Sequence, residues 1–301
     1  MTNAKTRLAL SLAALLAAPA ARAQAISLVH VASIYEDEKD RPLNKPEGVV
    51  CDDQGRVVIA DTGNGRLVTL SFANKRVTGG AEVRLAQLPS PAELQLDPKG
   101  NVLVLDRKAR KIGRVDAAGQ FQGFLEVKGV PSPSSVLPAA FKVDKSGAVY
   151  LLDLTSVKVL VLDPEGSVTR QLDLPRDGAL FTDLAVDPAG SVYALDPVGS
   201  TIWVADKAAS AFKLLVRGVK EVVSFPTWLT VSRGRLLVTD QNGHGLAVFG
   251  IDGSYQGRLL GLGWTDGLVY YPAQLCISEA EDLFLADRYN SRLQIFSMTV
   301  K

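Results

Sequence analysis

The sequence predicts an all-β protein, a six-bladed β-propeller of four-stranded blades whose ring is closed by the N-terminal strand in blade six. Three observations lead to this prediction: a repeat of about 45 residues, a common order of short strands in each copy, and a last copy that lacks one strand. The 301 residues contain 47% hydrophobic and 22% charged side chains, an ordinary globular composition with enough length to bury a core.

The repeat is defined by an aspartate that follows a short run of β-forming residues. Successive copies of this aspartate are 45, 47, 43, 44 and 47 residues apart, so six copies span most of the chain. Self-similarity at a fixed period of this length is typical of propellers and other repeat architectures. The six aspartates are Asp61, Asp106, Asp153, Asp196, Asp240 and Asp287.

Each copy also has the same internal order. In the first copy an entry strand, KPEGVVCD, is followed by the turn DDQG, a second strand, RVVIAD, and, after the aspartate turn, a third strand, RLVTLS. A more variable fourth strand follows, for example Val168–Leu174 in the third copy. Short strands separated by turn residues indicate an all-β array, and four strands per copy correspond to one propeller blade.

The two ends of the repeat region predict how the ring closes. The sixth copy stops after its third strand, at Phe296 or Ser297, while residues 26–35 form a strand that belongs to no copy. We expect this N-terminal strand to be the outer strand of blade six, because the pairing would complete that blade and leave no open edge. The propeller is therefore predicted to extend over residues 24–301.

The turn motif resembles a known repeat. The pattern P-x-G, then D-x-x-G, then a hydrophobic run and D-x-x-N-x-R is similar to the NHL repeat of six-bladed propellers, and it covers the chain from Asn44 to its end. It is best kept in repeat one, with Asp61, Asn64 and Arg66, and in repeat six, from Asp287 to Leu293. The middle copies depart from it, with Lys111, Lys158, Thr201 and Gly245 in the place of Arg66. The resemblance implies the fold and leaves the function open, because propellers have many unrelated activities.

Residues 1–23 are predicted to be a secretory signal peptide. Lys5 and Arg7 precede a short apolar run, Leu8–Ala20, and Ala21–Ala23 form an A-x-A cleavage site. The apolar run is shorter than the roughly 20 residues that a membrane-spanning helix needs. We therefore expect an exported protein, periplasmic or secreted, with no membrane span.

The charge balance gives no reason to expect nucleic acid as a partner. The predicted signal peptide accounts for three of the 33 basic residues, which leaves 30 against 32 acidic ones. A chain this close to neutrality lacks the excess of positive charge that a polyanion attracts.

Polar side chains on the innermost strands form one candidate site. By strand alternation, Glu93, Asp183 and Gln274 converge on the axis of the ring together with Lys142. Oxygen ligands of this kind could hold Ca²⁺, as in the cation-dependent propeller lactonases that the fold resembles. The alternative is an ion pair of Lys142 with Glu93 or Asp183 and no cofactor, which we favour.

Aromatic residues in the turns and loops of blades five and six form a second candidate site. Blade-entry loops and aspartate turns are expected on the same face of the ring, where aromatic and polar groups together are typical of a recognition surface. The RKARK run, Arg107–Lys111, lies on this face and is interpreted as a solvated loop. The predicted binding residues are Trp264, Tyr270, Tyr271, Trp228, Phe225, His244, Arg66 and Arg292.

The two cysteines, Cys51 and Cys276, both lie on innermost strands, in blades that become neighbours when the ring closes. They have opposite alternation phases, so we expect two buried free thiols rather than a disulfide.

The sequence contains no zinc-binding histidine set, no G-x-S-x-G nucleophile elbow and no phosphate-binding loop. The leading hypothesis is therefore an exported, non-catalytic binding or scaffold propeller for a protein, peptide or glycan partner. A lactonase-like hydrolase with a cation at Glu93 and Asp183 is the alternative.

Overall fold

A computed structural model describes residues 26–176 and 179–300. These residues form six antiparallel sheets of four strands, arranged as the blades of a ring, so the predicted fold class is confirmed. The predicted signal peptide lies outside the described residues. Helical structure within them is confined to short 3-10 turns, and none of these is long and apolar enough to span a membrane.

The strands follow the repeat closely. Blade one contains β2 (Gly48–Cys51), β3 (Arg56–Asp61), β4 (Arg66–Ala73) and β5 (Arg76–Val83). Blade two contains β6 (Pro91–Leu96), β7 (Val102–Asp106), β8 (Lys111–Val115) and β9 (Phe121–Phe124). Blade three contains β10 (Pro138–Val143), β11 (Val149–Asp153), β12 (Lys158–Leu162) and β13 (Val168–Asp173).

The second half of the chain has the same organisation. Blade four contains β14 (Asp183–Val186), β15 (Val192–Asp196), β16 (Thr201–Ala205) and β17 (Lys213–Arg217). Blade five contains β18 (Pro226–Ser232), β19 (Arg235–Asp240), β20 (Gly245–Gly250) and β21 (Tyr255–Leu259). Blade six contains β22 (Pro272–Ile277), β23 (Asp282–Asp287), β24 (Arg292–Val300) and the N-terminal strand β1 (Ile26–Ile34).

The ring closes where the sequence predicted. Strand β1 pairs antiparallel with β24 as the outer strand of blade six, from Ile26 opposite Val300 to Ile34 opposite Leu293. The strand ends one residue before the predicted boundary, at Ile34. Because both chain ends share one sheet, blades one and six pack together without an open edge between them.

The core lies between the blades. In blade one, Val49 and Ile59 pack against Phe284 of blade six, whereas Val50 packs against Leu94 of blade two. Both faces of the sheet are therefore buried, each against a different neighbour. Strand alternation, by which the sequence analysis placed Glu93, Asp183 and Gln274 at the axis, therefore does not separate a packed face from a channel face. Blades stand radially, and only the edge of an inner strand faces the axis.

The six repeated aspartates have one structural role. Asp61 accepts a hydrogen bond from the backbone N–H of Asn44 at 2.7 Å, and Asp106 accepts one from Ser90 at 2.6 Å, in each case across to the entry segment of the same blade. The other four aspartates do the same, with Leu137, Leu180, Ser224 and Tyr270 as donors. These bonds hold turns and entry segments on one face of the ring, which we call the turn face.

A left-handed residue ends each of these turns, and only in blade one is it a glycine, Gly65 with φ 61°. The asparagines of the repeat motif do not adopt this conformation. Asn64 and Asn290 instead donate a side-chain hydrogen bond at 2.8 Å to Asp61 and Asp287. The residues in the left-handed position of the other blades are Arg110, Val157, Ser200, His244 and Ser291.

Cys51 and Cys276 form a disulfide with their Cα atoms 5.9 Å apart, so the expectation of free thiols is wrong. The opposite alternation phases that argued against the bridge are in fact required for it. The two faces of each blade pack against different neighbouring blades. The face of blade one that touches blade six therefore meets the opposite face of blade six, so two residues in contact there occupy opposite alternation positions on their strands. Cys51 and Cys276 both pack at the core cluster shared by these blades.

Candidate functional site

Five aromatic rings form a contiguous group on the turn face at blades five and six, which we call the aromatic cluster. Tyr270 lies at its centre, with ring centroids 5.0 Å from Tyr271, 5.3 Å from His244, 5.8 Å from Tyr289 and 5.9 Å from Trp264. Trp264 is 70% exposed and Tyr289 42% exposed. The structure therefore brings together four of the predicted binding residues, His244, Trp264, Tyr270 and Tyr271.

His244 fixes the geometry of the cluster as a neutral imidazole. Its Nδ1 atom accepts a hydrogen bond from the backbone N–H of Tyr271 at 3.2 Å, and its ring stacks on Tyr270 with an interplanar angle of 28°. Burial lowers the pKa of His244 below its ordinary value, because burial disfavours the charged form. Acceptance through Nδ1 requires the same uncharged state.

Two cations lie next to Tyr289 of the cluster. The guanidinium of Arg288 lies 5.1 Å from the ring centroid of Tyr289, and the ammonium of Lys45 lies 5.6 Å from it. Arg288 also forms an ion pair with buried Glu47 at 2.9 Å, and Glu47 pairs with Arg107 at 2.5 Å. Arg288 thus connects the aromatic cluster to the mouth of the channel.

A cavity of about 340 Å³ lies at this mouth, within the range of small ligand pockets. Its rim is charged and its floor contains the inner-strand residues of the ring. The lining residues that matter here are Glu47, Glu93, Arg107, Trp228, Gln274 and Arg288.

Arg292 lies beneath the loop that carries Trp264 and is fully buried, with 0% exposure. It donates to Asp287 at 2.8 Å and to the backbone oxygens of Thr265 at 2.9 Å and Leu268 at 2.8 Å. The predicted place of Arg292 on the exposed face is corrected, since residues of the blade-six entry loop cover it. Its guanidinium group supports this loop from below.

Arg66 has the equivalent place in blade one and is also buried, at 2% exposure. It forms ion pairs with Asp61 at 2.6 Å and Asp37 at 2.5 Å, and it donates to the backbone oxygen of Arg41 at 3.2 Å. The loop between β1 and β2 covers it, so this predicted face residue is corrected for the same reason. Both arginines pair with the repeated aspartate of their own turn.

The remaining two predicted face residues lie apart from the cluster. Trp228 is 8% exposed and lies inside the ring, where the Lys142 ammonium is 3.3 Å from its ring centroid. It is therefore a residue of the channel rather than of the exposed face. Phe225 is 41% exposed, and its backbone N–H donates to Asp240 at 2.8 Å.

Three of the predicted polar inner-strand residues, Glu93, Lys142 and Asp183, meet inside the ring and form with Trp228 what we call the axial cluster. The fourth, Gln274, bonds instead to the backbone of Val49 and Leu94. The Lys142 ammonium lies 3.1 Å from Glu93 and 2.8 Å from Asp183. Backbone donors complete the shell, since Phe141 N–H donates to Glu93 at 3.2 Å and Leu229 N–H donates to Asp183 at 2.6 Å. The ion pair that the sequence suggested is present with both carboxylates.

Burial raises the pKa of Glu93 to about 8, and it also raises the pKa of Asp183, although the Lys142 ammonium opposes both shifts. Two carboxylates and one ammonium would otherwise leave a net negative charge among buried side chains, and protonation of one carboxyl removes it. The cluster is therefore close to neutral at pH 7.

These residues do not fit a divalent cation. The Lys142 ammonium lies between the two carboxylates, and it would repel an ion at the same place. Gln274 has no oxygen to spare, because its side-chain Oε1 accepts from Val49 N–H at 3.2 Å and Leu94 N–H at 3.0 Å. Among the described residues, no group of three or more His, Cys, Asp or Glu side chains could hold a metal ion.

Sequence reasoning missed Tyr289, Glu47 and Gln294. Gln294 is 0% exposed and supports the same loop as Arg292, because its side chain donates to Leu268 O at 2.7 Å and accepts from Gly267 N–H at 2.9 Å. A signal for it was available, since Gln294 lies two residues after Arg292 and therefore on the same face of β24. Tyr289 carried no comparable signal, because it lies in a turn without periodicity.

Comparison with known proteins agrees with the fold. Residues 43–70 match the family model of the NHL repeat, within blade one and the segment before it. The chain is therefore a six-bladed β-propeller with an NHL repeat, as the turn motifs predicted.

One similar curated protein is SUPPRESSOR OF QUENCHING 1, chloroplastic, of Arabidopsis thaliana. It is 30% identical over 181 residues, which cover 53% of this chain and 17% of that protein. The chain thus matches about a sixth of the length of this relative.

Solved propellers of diverse function have similar structures. A gluconolactonase of Xanthomonas campestris has a TM-score of 0.67 at 18% identity, covering 91% of this chain and 90% of its own. A streptogramin B lyase has a TM-score of 0.62 at 12% identity, covering 92% and 98%. A chain of a nidogen/laminin complex has a TM-score of 0.58 at 17% identity, covering 73% and 81%. At these identities the likeness shows the fold alone, and the neighbours include both enzymes and a binding protein.

Proposed function

We propose that the protein is an exported, non-catalytic binding propeller whose aromatic cluster contacts a protein or peptide partner. The observation that carries this proposal is the exposure of Trp264 at 70% and Tyr289 at 42% within a group of rings that contact one another. Exposed aromatic residues on a fixed scaffold are typical anchors of a protein interface, since they bury much area at little cost in side-chain entropy.

The support beneath the cluster agrees with a binding role. Arg292 and Gln294 fix the backbone of the loop that carries Trp264, and His244 fixes Tyr271. A recognition surface gains affinity when its side chains are ordered before the partner arrives, because less conformational entropy is lost on binding. The disulfide supports the proposed export, because such bonds persist in oxidising compartments such as the periplasm.

A photoreactive benzoyl-phenylalanine at position 264 tests the proposal in an extract of the source cells. Tyr255 provides a matched control position, because it is an aromatic residue of similar exposure to Tyr289, at 46%, on the outer strand of blade five. We expect a protein that is cross-linked from position 264 and not from position 255. A glycan array probed with the purified chain tests the alternative partner class in parallel.

The cross-linked partner is then purified and titrated against variants. We expect Trp264→Ala combined with Tyr289→Ala to raise the dissociation constant at least about tenfold, as for central interface residues, and Tyr255→Ala to leave it unchanged. Equal cross-linking from both positions, or an unchanged affinity in the double variant, contradicts the proposal. Binding to a glycan with no protein partner would assign the cluster to carbohydrate recognition instead.

A further inference from the structure

A groove with a volume of about 980 Å³ lies between blades two and three, at the upper end of the range for ligand sites. One wall is the end of the RKARK turn and the start of β8, and the other is the connection between β9 and β10, residues 125–137. Arg110, Leu137 and Pro138 line both this groove and the channel-mouth cavity, so the two spaces adjoin.

Hydrogen bonds anchor the second wall to blade three. Lys128 N–H donates to the backbone oxygen of Gly166 at 2.8 Å, and Val168 N–H donates to the backbone oxygen of Lys128 at 3.0 Å. Further along, the Thr155 hydroxyl donates to the backbone oxygen of Ser135 at 2.6 Å. The groove is therefore formed before any ligand enters, and an occupant has little ordering cost to offset.

The rim of the groove is basic. Arg110, Lys111 and Lys128 are exposed and line it, against one exposed carboxylate, Glu126. Within residues 26–176 and 179–300, none of the three cations forms an ion pair with an acidic side chain. Lys111 instead lies over the ring of Phe124, with its ammonium 5.1 Å from the centroid. The excess of positive charge on the rim is complementary to an anionic ligand.

The interior of the groove is apolar, so an anionic ligand that also has apolar groups fits it better than a purely polar anion. Below the cations, its walls are formed by residues such as Phe124, Leu125, Val136 and Leu151. A sulfated polysaccharide presents hydroxyl and sulfate groups, which gain nothing from such walls. An extended peptide can place apolar side chains on one side and carboxylates on the other, because its side chains alternate.

We propose that this groove binds an acidic peptide segment, with apolar side chains between Phe124, Leu125 and Val136 and carboxylates paired with Arg110, Lys111 and Lys128. The RKARK run, which sequence analysis interpreted as a solvated loop, thereby supplies part of a binding site. The site is separate from the aromatic cluster and does not rest on the proposed function, because it involves other residues and another pair of blades.

The test uses a short fluorescein-labelled peptide in which leucine or valine alternates with aspartate, titrated against the full chain by fluorescence anisotropy. One matched peptide carries asparagine for each aspartate, and another carries serine for each apolar residue. We expect binding of the first peptide alone, weakened by raising the salt from about 50 mM to about 0.5 M because the pairs are exposed. Equal binding of the asparagine or serine peptide, or no binding of the first, overturns the proposal.

Charge-reversal variants localise the binding without changing the fold. We expect Arg110→Glu combined with Lys128→Glu to weaken binding about tenfold or more, because both substitutions turn attraction into repulsion. Lys99→Glu combined with Lys207→Glu is the matched control, since both lysines are exposed and lie outside the groove. Equal loss in the two double variants, or none in the first, contradicts the assignment.

A sulfated heparin oligosaccharide and a single-stranded RNA complete the set of probes. If either competes for the groove as well as the acidic peptide does, the site is a general polyanion surface and the peptide proposal is overturned. Substitutions in the aromatic cluster should not alter binding of the acidic peptide, because no residue of that cluster lines the groove. Failure of this proposal is therefore distinguishable from failure of the proposed function.

Discussion

Cys51 and Cys276 are 225 residues apart in sequence, and their disulfide joins the innermost strands of blades one and six. At the outer side of the ring, β1 pairs with β24 within blade six, and the chain continues from β1 into blade one. The ring is therefore closed by a disulfide near the axis and by the backbone hydrogen bonds between β1 and β24 at the outer edge.

Removal of this disulfide is expected to destabilise the ring. Replacement of Cys51 and Cys276 by serine should lower the free energy of unfolding by about 2–5 kcal/mol, because the cross-link restricts a very long loop in the unfolded chain. Urea denaturation with and without a phosphine reductant measures this. The reductant should destabilise the native protein and leave the double-serine variant unchanged; an unaffected native protein would contradict the prediction.

The raised pKa of Glu93 predicts a pH dependence of stability. Its ordinary value is 4.5 and burial raises the pKa to about 8, so in this window the folded chain binds more protons than the unfolded chain. The contribution of Glu93 to the free energy of unfolding therefore falls as the pH rises from 4.5 to about 8. Glu93→Gln keeps an acceptor for Phe141 N–H and cannot ionise. We expect its stability relative to the native protein to increase with pH by at least about 1 kcal/mol.

Denaturation at about pH 5 and about pH 8 measures this difference. Glu38→Gln is the control, because Glu38 is exposed and the substitution removes the same charge. Parallel stability curves for the native protein and Glu93→Gln would show that Glu93 has no raised pKa.

Arg292→Ala is expected to cost about 3–5 kcal/mol of stability, because Asp287 would remain buried without its counter-ion. The same change should loosen the loop that carries Trp264, since two backbone oxygens lose their donor. Chemical denaturation and tryptophan fluorescence measure the two effects. Lys111→Ala, at the equivalent repeat position of blade two, should change stability by no more than about 0.5 kcal/mol, because Lys111 is exposed.

The axial cluster is expected to be independent of metal ions. Protein purified without a chelator should contain less than stoichiometric Ca²⁺ or Zn²⁺, and EDTA should leave its Tm unchanged, because the Lys142 ammonium lies between the two carboxylates and repels a second cation. Stoichiometric metal that is lost in Glu93→Ala combined with Asp183→Ala would contradict this prediction and support a cation-dependent hydrolase.

The fold could be predicted because its signals are local and repeated. An aspartate, a turn and three short strands recur at an almost constant interval, and each copy reinforces the assignment of the others. The pairing of β1 in blade six was predictable from the same count of strands. The sixth copy lacks a fourth strand, and the N-terminal strand belongs to no copy. The pairing of Arg66 and Arg292 with their own aspartates was predictable because each pair lies within one turn.

The candidate site was predicted only in part, because loops outside the repeat determine exposure. Trp264 is exposed, but Arg292 is buried by the neighbouring Thr265 and Leu268. Such loops have no periodicity that could place their backbone. Trp228 was assigned to the exposed face for a similar reason, since alternation does not reveal how deep in the channel a residue lies.

The sequence by itself determined the number of blades and the strand that closes the ring, because these depend on counting the copies and their strands. Only the tertiary structure decided which residues of different blades meet. The disulfide between Cys51 and Cys276 and the Glu93–Lys142–Asp183 cluster arise across blades. The ring turns each sheet face toward a neighbour, and that orientation is not encoded in the alternation of any single strand.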